Sequence, residues 1–137
     1  MNKYIPIIIV VIIAIQIIPT NRENPPVTAD FDGPAEVKEI FKTSCYDCHS
    51  NETKWQWYHK VAPTSWLVAY NVKEGREEFN FSNWQNISRS EILELRKKIW
   101  EEVKEGKMPM KIHTIIHRDA VLTKEQKELI KDWSVNL

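Results

Sequence analysis

Two cysteines and a histidine stand together in the stretch Ser44-Cys45-Tyr46-Asp47-Cys48-His49-Ser50, and the 137-residue chain contains no other cysteine. This spacing permits several chemistries. Thiols separated by two residues can cycle between dithiol and disulfide, as in thioredoxin-type centres. Two thiolates and an imidazole can supply part of a tetrahedral zinc shell. The two thiols can also add across the vinyl groups of a haem while the next residue turns its imidazole toward the iron, which is c-type attachment. A plain disulfide is the simplest alternative, and it would leave His49 without a purpose.

The elements that must position these residues read as helices. From Pro34, which suits the start of a helix, Val37, Ile40 and Phe41 recur at helical spacing and predict a helix that runs to Ser44 and delivers the chain into Cys45. A second helix is predicted within 63–75, with Trp66, Leu67 and Tyr70 on one side. The third has the clearest punctuation. Ser88 and Glu91 form a capping box, Ile92, Leu95, Ile99 and Val103 keep the period, and Gly106 stands where a helix-ending glycine belongs. A fourth starts at Thr123, with Gln126 three residues on, and carries Leu129, Ile130 and Trp133. No stretch alternates like a strand, so the expected fold class is all-α.

Ahead of this domain, residues 4–19 form an isoleucine-rich run interrupted by Pro6 and Gln16. It lies at the lower limit of about 17 residues for a membrane span. No small-x-small cleavage pattern follows, and no cysteine for lipid attachment, so an uncleaved signal-anchor is favoured over a cleaved signal. Residues 21–33 are polar and proline-rich and read as a tether. The expected organisation is therefore an N-terminal transmembrane or signal-anchor helix over 1–20, a tether over 21–33 and a helical domain over 34–137. The expected location is the cytoplasmic membrane, with a single pass and the domain facing the periplasm or cell exterior. Lys+Arg and Asp+Glu both number 19, which gives no global charge to attract nucleic acid.

This setting discriminates among the chemistries of the motif. A thioredoxin-type pair needs a βαβ neighbourhood, and none is predicted. A closed zinc site would need further ligands from His59, His113 or His117 at irregular spacing. Haem attachment uses both cysteines and the histidine at once, and six tryptophans against three glycines suit the walls around a flat apolar ligand. The expected cofactor is one haem c, joined through Cys45 and Cys48 and ligated by His49. The other axial ligand is expected from 105–117. Met108, followed by Pro109, sits where the chain leaves helical structure, and a thioether donor raises the potential. Met110, His59, His113 and His117 remain alternatives. Trp57 and Tyr58 are candidates either for a haem edge or for core packing. Arg76 is a candidate partner of a propionate, with a solvated surface position as the simpler reading.

The stretch 41–84 resembles the bacterial haem-binding domain family of small c-type cytochrome-like proteins. The resemblance is carried by Cys45 to Thr53, Trp55 to Tyr58, Ala62 to Trp66, Gly75-Arg76 and Asn80 to Trp84, and further on by Met108-Pro109 and His117 to Leu122. Met110 and Arg118 depart from it where prolines are common. The resemblance implies a small cytochrome c-like helical domain that binds haem. The expected function is single-electron transfer between redox partner proteins at the outer face of the membrane, without enzyme activity. The alternative is a haem sensor or peroxidase-like enzyme with a displaceable distal ligand.

Overall fold

Capping chemistry decides where the principal helices begin. Ser88 and Thr123 each accept the backbone N–H three residues on, while Glu91 and Gln126 reach back to the cap residue, so both predicted capping boxes are formed. The computed structural model describes residues 2–136, and among them regular structure is helical throughout, as the lack of alternation predicts. The α-helices are α1 (Ile5–Ala14), α2 (Ala35–Ser44), α3 (Tyr46–His49), α4 (Thr64–Glu78), α5 (Arg89–Lys104), α6 (Lys111–Ile116) and α7 (Lys124–Val135). Short 3-10 turns at Ile15–Ile17, Trp57–Lys60, Phe81–Asn86 and Arg118–Ala120 join several of them. α7 packs on both α5 and α2, and α4 packs on α3.

The core is aromatic. Phe31, from the segment expected to be a tether, is 1% exposed. It meets Phe41, Phe81, Trp84 and Trp133 edge-on, with ring centroids 5.3, 5.5, 5.4 and 5.6 Å away. Edge-to-face geometry sets the positive rim of one ring against the negative face of the next. The neighbouring backbone is tied down as well, since Thr28 and Ala29 donate their N–H groups to the Ser82 carbonyl at 3.1 and 3.0 Å. Residues 21–33 contain no helix, yet their end belongs to the core.

α4 differs from its sequence reading. Leu67 and Tyr70 are exposed, while Ser65, Val72 and Gly75 form the buried face. Small side chains there let the helix approach its neighbour more closely than a Trp-Leu-Tyr face would.

The N-terminal run corrects the expectation of a membrane anchor. α1 has 10 residues and is prolonged only by the turn Ile15–Ile17. At about 1.5 Å per residue α1 is roughly 15 Å long, half the ~30 Å hydrocarbon core. Among the described residues no helix is long and apolar enough to cross a membrane, so the signal-anchor helix and the single-pass location are not supported. The run breaks where Ile18 turns extended. Just before the break, Gln16 exchanges two hydrogen bonds with the Ala62 backbone, at 2.9 and 3.3 Å, and pins the end of the run to the domain.

Replacing Phe31 with alanine removes the hub of the aromatic core. The expected cost is about 3–5 kcal/mol, read from the shift of a chemical-denaturation midpoint. A cost below about 1 kcal/mol would show that 21–33 adds little to the fold.

Candidate functional site

The Cys45–His49 stretch becomes a single helical turn for a local reason. α2 ends as the Cys45 N–H closes on the Phe41 carbonyl at 2.8 Å, and Cys45 itself leaves helical geometry with φ −128°. Its carbonyl then accepts the N–H groups of Cys48 and His49, at 3.1 and 2.9 Å, and starts α3. The turn is braced from behind. Ser50 donates its hydroxyl to the Tyr46 carbonyl and Thr53 donates to the Asp47 carbonyl, both at 2.8 Å. Arg76 donates to the Ser50 carbonyl, to the Thr53 hydroxyl and to the Glu23 carbonyl. Arg76 is thus a half-buried clamp on the segment that follows the motif, and it is not among the residues that line the cavity.

α4 lies against this turn with almost no clearance. A Cβ on Gly75 would stand 2.6 Å from the Cys48 carbonyl oxygen, so only glycine allows the two backbones to meet. Where α4 ends at Phe79, the Phe79 carbonyl sits 3.4 Å from His49 Nδ1, and the two rings stack at 4.2 Å. A carbonyl only accepts, so Nδ1 carries the proton and Nε2 is the atom left with a lone pair. Burial holds the His49 imidazole below its ordinary pKa and keeps it neutral, the form that binds metals.

Above the turn lies a cavity of about 400 Å³, within the ~300–1,000 Å³ range of cofactor pockets. Cys45, Cys48 and His49 line it, together with Phe79 and Phe81. Leu95, Ile99 and Val103 line it from one face of α5. The fourth contribution is the segment after α5. Gly106, at φ 70°, donates to the Val103 carbonyl, and Lys107 donates to the Glu102 carbonyl at 3.0 Å, which together make a Schellman ending. The same Glu102 carbonyl takes the N–H of Met108 at 3.1 Å, folding this residue back over the helix end. Met108, Pro109, Met110 and His113 all border the cavity.

Cys45, Cys48, His49 and Met108 therefore meet at one cavity, with Met110 and His113 beside them. His59 and His117 are not among its lining residues. His59 is buried and accepts the Gln56 N–H at Nδ1. Trp57 is 75% exposed and does not border the cavity, and the Tyr58 hydroxyl lies 2.9 Å from His117 Nε2. Two positioning elements were not anticipated: the Phe79 carbonyl behind His49, and the close approach at Gly75. An isolated glycine inside a helical pattern is the one available hint of the second.

Both cysteines are free. Burial pushes the Cys45 thiol up to about 12, with the Cys48 sulfur adding to it, and burial pushes Cys48 up to about 11. At neutral pH they are thiols, whereas redox exchange uses thiolate. The residues present fit a flat apolar group: a mainly apolar wall, two unpaired thiols, a neutral imidazole with one nitrogen free, and soft thioethers.

Helices that enclose an apolar cavity around Cys-x-x-Cys-His define a cofactor-binding domain of the all-α class. The chain belongs to the haem-binding domain family, which matches residues 10–136. No curated protein and no solved structure matches it.

Gly75→Ala forces α4 away from the Cys48 backbone. Overpacking of this kind costs about 1–3 kcal/mol, and the variant should melt lower and hold less haem at equal expression. Unchanged haem content with an unchanged melting temperature would show that the two backbones have room to move. A pH dependence also follows. His49, His59 and His113 all have lowered pKa values, chiefly from burial. Below about pH 6.5 the unfolded chain binds more protons than the folded one, so stability falls as pH falls through that range. The melting temperature should drop between pH 7.5 and 5.5, and His59→Gln should flatten the dependence. A melting temperature that holds or rises on acidification would contradict this.

Proposed function

We propose that the chain carries one covalently attached haem and passes single electrons. The observation that carries this reading is the convergence of Cys45, Cys48, His49 and Met108 on one apolar cavity. Cys45 and Cys48 would each add a thiol S–H across a vinyl group, giving two thioethers with no change of oxidation state. His49 would present Nε2 to the iron while the Phe79 carbonyl holds Nδ1–H, an outer-shell bond that orients the ring and raises its basicity. Met108 would supply a second, thioether donor to the iron from its place over the end of α5. When bound, the group supplies a one-electron iron couple. Leu95, Ile99, Val103, Phe79 and Phe81 keep water from it, and a dry surround together with a thioether donor favours the reduced iron. Its partners in this reading are redox proteins that give and take electrons singly.

A second reading, a haem sensor or peroxidase-like enzyme, is favoured by one observation. His113 borders the same cavity as Met108 and would face a small molecule that displaced the thioether.

Expression with a cytochrome c maturation system should give a haem-staining band that survives a denaturing gel, and Cys45→Ala/Cys48→Ala should remove it. Haem that is present in the native protein yet lost on the gel would refute covalent attachment. Met108→Ala should abolish the weak far-red charge-transfer band of Met-ligated ferric haem and lower the potential, whereas Met110→Ala should leave both nearly unchanged. If Met110→Ala alone removes the band, the ligand is the other sulfur. If neither does, the sensor or peroxidase-like reading takes precedence.

A further inference from the structure

At the edge of the cavity, which Asp47 and His113 also line, is a second group of metal-binding side chains that uses none of Cys45, Cys48, His49 or Met108. Asp47 projects from α3, between the two cysteines, and accepts the Lys54 N–H at 3.0 Å. His113 lies on α6 and His117 is the residue that ends it, one turn later, with its N–H on the His113 carbonyl at 2.9 Å. Residues four apart share a helix face, and the two imidazoles stack at 4.4 Å. One ligand atom from each of the three residues lies within 4.8 Å of the others.

We propose that Asp47, His113 and His117 bind a divalent transition-metal ion. Two imidazoles and one carboxylate are a donor set that such ions accept, and three protein ligands leave a coordination position open. Bonds of about 2.0–2.2 Å put ligand atoms on a tetrahedral ion roughly 3.4 Å apart. Side-chain rotations that close a little over 1 Å would therefore complete the shell. Two further features fit a ligand site. Burial and the neighbouring His117 hold His113 below its ordinary pKa, which keeps it in the neutral form that donates to a metal. The Tyr58 hydroxyl, 2.9 Å from His117 Nε2, holds that ring in the manner of an outer-shell partner. The two stacked imidazoles and the carboxylate face one another across this gap. A bound ion would tie the turn carrying the cysteines to the segment that follows Met108-Pro109.

Zinc is the probe. The haem-loaded full chain is stripped with chelator and treated with iodoacetamide, so that any thiol not already in a thioether is blocked. Titration should then show one zinc per chain, with the haem absorption unchanged. His117→Gln and Asp47→Asn should weaken zinc by more than the about 10–100-fold that loss of an outer-shell partner costs, and Tyr58→Phe by about 10-fold. The haem spectrum of each variant reports whether it is folded, and where a ligand variant does not load haem, Tyr58→Phe decides. The proposal is overturned if the blocked wild-type chain takes up no zinc, if zinc uptake disappears on iodoacetamide treatment, or if folded variants bind zinc as tightly as the wild type. The denaturing gel reports separately whether Cys45 and Cys48 hold haem, and zinc uptake that disappears on iodoacetamide treatment would mark these same cysteines, the two in the chain, as free thiols.

Discussion

The arrangement depends on one contact between backbones. At Gly75 the axis of α4 comes so near the Cys48 carbonyl that no side chain can intervene. Because α4 lies there, Phe79, the residue that caps its C-terminus, reaches His49 with both a ring and a carbonyl. Arg76, one residue on, can then reach the Ser50 carbonyl and the Thr53 hydroxyl. A side chain at 75 would displace the stacking partner, the orienting acceptor and the clamp together. The three are a single mechanical unit held by the absence of one carbon atom.

What could be read in the sequence was what is local. The capping boxes at Ser88–Glu91 and Thr123–Gln126 act over three residues, and Gly106 acts through its own φ, so each reports its structure without knowledge of the rest of the chain. Cys45, Cys48 and His49 were legible for the same reason, since one turn of helix relates them. Met108 was legible as a break in helix. That it reaches the same cavity depends on how α5 packs, which no local signal encodes. Phe31 was misread as tether because its neighbours in sequence are polar and prolines, while its partners lie at 41, 81, 84 and 133. α4 was misread because an apolar period marks a buried face only when the neighbouring element is not pressed against a stripe of small residues. Arg76 was underrated because its acceptors, the Ser50 and Glu23 carbonyls and the Thr53 and Asn24 side chains, are brought together only by the fold.

The isoleucine run shows why hydropathy and length are separate criteria. Composition alone suits a bilayer, but a span must also satisfy its backbone internally across the full hydrocarbon thickness. Here the helical hydrogen bonding ends with the Ile18 N–H on the Ile15 carbonyl, and the Gln16 side chain, which also donates to the Ile12 carbonyl of its own helix, bonds the Ala62 backbone. The polar residue that interrupts the run is the one that docks it.

The doubly used Glu102 carbonyl has a consequence for motion. Helix ends open and close more readily than helix middles, and the free energy of that opening is local to the final turn. Lys107 and Met108 both hang from this one acceptor, so the Met108 loop cannot loosen by itself and moves when the last turn of α5 frays. The position of the Met108 sulfur over the cavity is therefore coupled to the winding and unwinding of a helix terminus.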